Sequence, residues 1–109
     1  MHEIPQIEVE LTFLTDAEGG REQPPVFTAP TTYRPHFVMA GSTEYLGVIF
    51  QTAPEFIEPQ VPFVATVGLV YYPEVDYAGL VPGADFTVRE GARVVARGRV
   101  TKRLQNQVA

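Results

Sequence analysis

The arginines near the end of the chain are the residues with the clearest chemical potential. Between Arg89 and Arg103 the sequence holds six of its eight basic residues and one acid, whereas the remainder holds two basic residues and twelve acids. Guanidinium groups bind phosphate oxygens through paired hydrogen bonds, and alternate residues of a strand stand about 7 Å apart on one face. This spacing suits successive phosphates of a nucleic acid. One interpretation of the arginines is therefore a phosphate-binding track.

Candidate catalytic groups are few. The chain has no cysteine, one serine at Ser42 and two histidines at His2 and His36. Four further carboxylates lie in proline-marked loops, where solvated turn residues are expected: Glu55, Glu58, Glu74 and Asp76. No spacing of histidines and carboxylates matches a metal site. The sequence therefore predicts a protein that is not an enzyme and that uses no metal or cofactor.

The apolar residues indicate where the protein is found. No apolar stretch reaches the roughly 18 to 20 residues that a membrane-spanning helix needs. The first ten residues, MHEIPQIEVE, lack the basic start and apolar centre of a signal peptide. The lack of cysteine fits a reducing compartment. These features predict a cytoplasmic protein without a membrane partner.

The elements that must position the arginines are short strands. Residues 7–15 alternate between apolar and polar, with the period of two expected for a half-buried strand. Further apolar runs follow at HFVMA, YLGVIFQT and FVATVGLVYY, and the last two strands, ADFTVRE and ARVVARGRVTKRL, are joined at Glu90-Gly91. Turn residues separate all of them, and no helical periodicity competes. We expect a single all-β domain of about six strands over residues 1–109.

The last strand has two different faces in this prediction. Odd positions carry Arg93, Arg97, Arg99 and Arg103, and even positions carry Val94, Ala96, Gly98 and Val100. Glu8 and Glu10 on the first strand lie opposite the arginines if a closed barrel pairs the first and last strands. Cross-strand pairs of opposite charge contribute roughly 0.2 to 1 kcal/mol each. The arginines are thus either a structural ladder or a phosphate-binding track.

Several motifs occur in a fixed order along the chain. After the first strand come Glu-Gly-Gly-Arg at Glu18–Arg21, Tyr-Arg-Pro at Tyr33–Pro35, and Arg-Glu-Gly at Arg89–Gly91 followed by a Val-x-x-Gly-x-Val strand. In this order the chain resembles the third, C-terminal domain of elongation factor Tu. The resemblance implies a six-stranded antiparallel Greek-key barrel, closed on itself, that hydrolyses nothing. In that family the domain packs on a neighbouring barrel, contacts the T stem of aminoacyl-tRNA and meets the nucleotide-exchange factor.

The resemblance also implies RNA-side positions. These are Arg34 of Tyr-Arg-Pro and Glu90-Gly91 of Arg-Glu-Gly. The family has a glutamine after Tyr-Arg-Pro, whereas this chain has His36. The chain contains no Gly-x-x-x-x-Gly-Lys-Ser/Thr loop, so we expect no GTP binding.

The arginines suggest further RNA contacts. A tRNA-binding or other RNA-binding role, which is the alternative functional interpretation, adds three arginines of the last two strands to Arg34: Arg89, Arg97 and Arg99. Arg21 has two readings. It either pairs with a nearby acid beside the Gly19-Gly20 turn, or it forms an anion-binding rim with Arg34.

Large apolar residues in two loop regions suggest a different function. They are Phe56, Ile57, Tyr71, Tyr72 and Tyr77. Such residues either plug the ends of a barrel or form an aromatic contact patch, since tyrosine and phenylalanine are enriched in the cores of protein interfaces. The leading functional prediction is a non-catalytic binding module, lacking the GTPase domain, that docks a protein partner or self-associates.

Overall fold

The computed structural model describes residues 4–27 and 33–104, and in these ranges the chain forms a closed, all-β barrel of six strands. The strands are β1 (Gln6–Phe13), β2 (His36–Met39), β3 (Leu46–Thr52), β4 (Phe63–Leu69), β5 (Asp85–Glu90) and β6 (Arg93–Leu104), and a short 3₁₀ helix covers Asp16–Glu18. Neighbours around the barrel follow the order β1-β4-β3-β2-β5-β6, and every pair is antiparallel. Strands β2, β3 and β4 are consecutive, with β1 beside β4, as in a Greek key. The predicted fold class is confirmed.

The connections between strands divide between the two ends of the barrel. Because all neighbours are antiparallel, residues 14–27, 33–35 and 53–62 and the β5–β6 turn lie at one end, here the upper end. Residues 40–45 and 70–84 lie at the lower end. The upper end therefore carries the Glu-Gly-Gly-Arg, Tyr-Arg-Pro and Arg-Glu-Gly motifs. Within the described residues no helix is long and apolar enough to cross a membrane.

The core explains why these residues form strands. In β1 the alternating side chains of Ile7, Val9 and Leu11 are fully buried, as the period of two predicts. Burying an aliphatic side chain of this size contributes roughly 1.5 to 3 kcal/mol. The rings of Phe37 and Phe86 stack inside the barrel with centroids 4.0 Å apart.

Two β-bulges change the faces of β6 from those predicted. Val88 pairs with Ala96 and Arg89 with Val94, so Val95 is an extra residue and is fully buried. A second irregularity follows between the pairs Val9–Val100 and Glu8–Lys102. Each extra residue reverses the alternation, because a bulge places two residues opposite one. The expectation that four arginines share one face is therefore wrong for Arg93, which pairs with Glu90, and for Arg103, which pairs with Ile7.

The predicted ladder to β1 forms in a changed register. Strands β1 and β6 do close the barrel, and Glu10 stands opposite Arg99. Glu8 instead faces Lys102, with 3.9 Å between its carboxylate and the ammonium nitrogen. The second bulge is the cause, because it moves Lys102 into the outward position.

Candidate nucleic-acid interface

Three of the predicted RNA-binding arginines lie on the outer face of neighbouring strands. Strand β5 lies between β2 and β6, with Arg89 opposite His36 and Thr87 opposite Arg97. One step further along, Asp85 is opposite Arg99. Residues directly opposite in an antiparallel pair project to the same side of the sheet. The pairing thus brings Arg89, Arg97 and Arg99 together on one side of the barrel.

Arg34 extends the same surface towards the upper end. The amide of Phe50 donates to the carbonyl of Tyr33 at 3.0 Å, and that of Val48 to the carbonyl of Pro35 at 3.1 Å. The segment before β2 therefore continues along β3 in an extended form. Within it Pro35 is buried and Arg34 is exposed, on the side of His36. We name Arg34, Arg89, Arg97 and Arg99 the arginine face.

Arg99 is neutralised within this face. Its Nε donates to Asp85 Oδ1 at 2.8 Å, and both side chains are exposed. The hydrogen bond from Arg99 lowers the pKa of Asp85, and the same contact raises the pKa of Arg99. The face thus offers four guanidinium groups, and the carboxylates of Asp85 and, opposite Arg99 on β1, Glu10 stand beside them.

Arg89 is held in place by neutral groups. Its Nε donates to the hydroxyl oxygen of Thr87 at 3.2 Å, and its guanidinium carbon lies 5.7 Å from the centre of the Tyr45 ring. In the described parts of the chain, neither Arg34, Arg89 nor Arg97 forms an ion pair. The pKa of Glu18 is lowered chiefly by its hydrogen bond with the Thr15 backbone, and the positive charge of Arg97 adds a small further lowering. Among the described residues, three cations of the face are therefore left without an ion-paired carboxylate.

A groove of about 380 Å³ opens beside Arg89 and Arg97. Its lining comes from β2, the turn after β2, β5 and β6, and it includes apolar groups of Val38 and Met39 and the hydroxyl-bearing residue Thr87. The charge pattern of the sequence indicates the arginines but not Thr87, Tyr45 or Asp85. The period of two could have found Thr87 and Asp85, because both alternate with Arg89 along β5.

The upper end holds a second polar cluster. Glu90 Oε2 accepts hydrogen bonds from Arg21 Nη1 and from the Tyr33 hydroxyl, both at 2.6 Å. Arg21 also lies over the Tyr33 ring, with its guanidinium carbon 5.9 Å from the ring centre. Burial first, and then the contact with Glu90, raises the pKa of Tyr33. The reading in which Arg21 pairs with an acid is confirmed.

This cluster brings together residues of three motifs that the sequence singled out. One residue comes from each: Arg21 from Glu-Gly-Gly-Arg, Tyr33 from Tyr-Arg-Pro and Glu90 from Arg-Glu-Gly. No protein-family model matches the chain. Glu90 is engaged inside the structure, and Gly91 supplies the positive φ of 61° in the β5–β6 turn. Glu90 and Gly91, which the resemblance places on the RNA side, therefore both have structural roles in this barrel.

The residues predicted for a protein interface do not form one patch. Phe56 is 74% exposed at the upper end, whereas Tyr71 and Tyr72 are each 52% exposed at the lower end. Ile57 is half-buried against the core. Strand β4 separates the two groups, and seven residues of strand span roughly 23 Å. The prediction that FVATVGLVYY is one strand is also wrong at its end, because β4 stops at Leu69 and a turn follows.

Tyr77 is the clearest correction. It is only 2% exposed, and its hydroxyl donates to the carbonyl of Gly47 at 2.7 Å and accepts from the amide of Tyr71 at 3.0 Å. Burial raises its pKa. A tyrosine is held inside when its hydroxyl finds partners there. Tyr77 therefore closes the lower end of the barrel and offers nothing to a partner.

The candidate catalytic residues have structural neighbours. His36 packs edge-on against Tyr45 with ring centroids 5.6 Å apart, and the Ser42 hydroxyl accepts a hydrogen bond from the Glu44 amide at 3.1 Å. His2 lies outside the described residues. Within residues 4–27 and 33–104 no group of three or more His, Asp or Glu side chains is placed to hold a metal ion.

Proposed function

We propose that this protein is a non-catalytic RNA-binding module whose binding surface is the arginine face. The observation that carries the proposal is the meeting of Arg34, Arg89 and Arg97 on one side of the barrel, where none of them forms an ion pair with a carboxylate of residues 4–27 or 33–104. A barrel gains nothing in stability from three neighbouring cations of like charge, whereas a phosphate backbone neutralises them. The interaction is sequence-independent, because phosphate contacts position an RNA without reading its bases.

The resemblance to the third domain of elongation factor Tu suggests which RNA to try first. That domain contacts the T stem of aminoacyl-tRNA, so we propose tRNA as the ligand and a cytoplasmic, translation-related role. Fold likeness alone does not fix function. The arginine face supports the same ligand chemistry independently of the resemblance.

The test is a fluorescence titration of labelled tRNA at two salt concentrations. Three phosphate contacts give a slope of log K against log salt of about −2, so binding should weaken about 20-fold between about 50 mM and about 200 mM salt. Arg97→Gln should reduce both the affinity and the slope. The matched control is Arg103→Gln, because Arg103 is exposed but lies off the arginine face. Equal effects of both variants, or binding indifferent to salt, would contradict the proposal.

A second candidate is protein docking or self-association at the upper end. Phe56 and Val26 are 74% and 58% exposed, and the backbone bond from the Phe27 amide to the Glu55 carbonyl, at 2.9 Å, holds their loops side by side. For self-association, sedimentation should show a concentration-dependent dimer that Phe56→Ser abolishes. Tyr72→Ser, at the opposite end, is the control. A wild-type protein that stays monomeric rules out self-association and leaves a different protein as the partner to be sought.

A further inference from the structure

The groove beside Arg89 and Arg97 is more specific than the arginine face as a whole. A flat cationic surface binds phosphates anywhere along it, whereas a concave site fixes one group. The groove is about 380 Å³, within the range of roughly 300 to 1,000 Å³ found for small-molecule sites. It has cationic and apolar walls together, which a bare phosphate does not require.

Arg89 is organised before any ligand arrives. Its Nε is used by Thr87 and its guanidinium is seated on Tyr45, so its two terminal nitrogens are the ones left for a ligand. Arg97 is directly opposite Thr87 on β6. Arg89 and Arg97 are therefore diagonal neighbours on one face, at the roughly 7 to 8 Å spacing of such pairs. Two guanidinium groups at that separation can both reach the oxygens of one phosphoryl group.

The other lining residues limit what accompanies the phosphate. Met39 and the exposed Ala40 add apolar surface to the same groove, which suits a sugar or base rather than a second charge, whereas Val38 at its floor is only 3% exposed. Asp85 also lines it, and its ion pair with Arg99 leaves no net positive charge at that position for a further phosphate. Arg99 adds no binding capacity, because Asp85 already holds it at 2.8 Å.

We propose that the groove binds a single nucleotide unit, with the phosphoryl group between Arg89 and Arg97 and the sugar and base over Met39 and Ala40. The inference rests on the proposed RNA-binding function and names the position in which one phosphate is held. The same chemistry is supplied by a free nucleoside monophosphate or by one nucleotide of an RNA chain.

The test is an amide NMR titration of the isotope-labelled protein with uridine 5′-monophosphate. Saturable shifts are expected at the amides of Val38, Thr87 and Gly98, with a Kd in the millimolar range. Arg89→Gln and Arg97→Gln should each weaken binding about tenfold or more, because a charge-assisted contact is lost. Arg103→Gln should bind as the wild type does. Uridine, which lacks the phosphate, should produce no saturable shifts.

The outcomes separate this inference from the proposed function. Shifts confined to other surfaces, or no shifts at about 20 mM nucleotide, overturn the groove. If labelled tRNA still binds in that case, RNA binding stands and the groove is wrong. If the nucleotide binds in the groove while tRNA does not bind, the free nucleotide is the ligand and the RNA proposal fails. Equal binding by Arg89→Gln and wild type also overturns the groove, and the spectra themselves report whether each variant is folded.

Discussion

Replacing Tyr77 by phenylalanine removes one buried oxygen atom and leaves the ring in place. The Tyr77 hydroxyl joins two segments, because it donates to the Gly47 carbonyl in β3 and accepts from the Tyr71 amide in the turn after β4. Gly47 is buried, so in Tyr77→Phe its carbonyl loses this hydrogen bond away from water. The Tyr71 residue is half-exposed, so water can take over its amide.

The magnitude follows from the Gly47 carbonyl. A buried acceptor left without its partner costs about 1 to 3 kcal/mol. For a domain of 109 residues, with an unfolding entropy of about 2.1 cal/mol/K per residue, each kcal/mol lowers Tm by about 4 to 5 °C. We therefore expect Tyr77→Phe to melt roughly 5 to 15 °C below the wild type.

Thermal unfolding followed by circular dichroism measures this, with chemical denaturation as a second reading of the free energy of unfolding. The control is Tyr72→Phe, which removes the same atom from a side chain that is 52% exposed. We expect the control to melt within about 2 °C of the wild type. If the two variants have equal melting temperatures, the hydrogen bonds of the Tyr77 hydroxyl do not stabilise the lower end of the barrel, and the prediction is refuted.

Three further predictions concern the barrel and its charges. Gly98→Ala should destabilise by about 1 to 3 kcal/mol in chemical denaturation, because a Cβ there lies 2.7 Å from the Phe86 ring and 2.8 Å from the Glu10 carbonyl; a neutral effect means that the barrel relaxes. The pKa of Tyr33 is raised, so the protonated hydroxyl stabilises the fold fully below about pH 10, and this stabilisation is lost as pH rises further. Tyr33→Phe should therefore lose less stability in alkali than the wild type, and equal losses contradict this prediction. The pKa of Asp85 is lowered, so its carboxyl should titrate by NMR below 3.8 and the benefit of its ion pair should fade as pH falls; an unchanged midpoint in Arg99→Gln removes Arg99 as the cause.

The strands of the barrel could be predicted because the alternation of buried and exposed residues is visible within each short stretch of sequence. In β1 each inward residue is followed by an outward one, so Ile7, Val9 and Leu11 reveal the buried face without knowledge of any partner. The bulges in β6 could not be predicted in the same way. They arise where β6 must satisfy β5 on one edge and β1 on the other, and these pairings bring together residues as distant as Gln6 and Leu104.

The candidate site was predictable in composition and less so in arrangement. The sequence indicated Arg34, Arg89, Arg97 and Arg99, and the register of β2, β5 and β6 gathers them. The sequence did not show that Asp85 forms an ion pair with Arg99, since this contact depends on the pairing of β5 with β6.

The aromatic residues show the same limit. Composition gives no reason to prefer Tyr77 over Tyr71 or Tyr72 for burial. The choice depends on a carbonyl thirty residues away, at Gly47. The missing side chain at Gly47 also makes room for the ring of Tyr71, which lies where a Cβ would be.

Two of the seven arginines are neutralised by carboxylates, and three of the other five lie together on the arginine face. Arg21 is paired with Glu90 at 2.6 Å and Arg99 with Asp85 at 2.8 Å, which leaves positive charge concentrated around Arg34, Arg89 and Arg97. The whole chain carries a net charge of −5, so the rest of its surface repels a polyanion. Over a Debye length of roughly 8 Å, the local field of the arginine face still attracts phosphate. Under the proposed function, the acidic remainder orients an RNA by excluding it from every other approach, and the same charge that lowers general affinity for nucleic acid then confines binding to one side of the barrel.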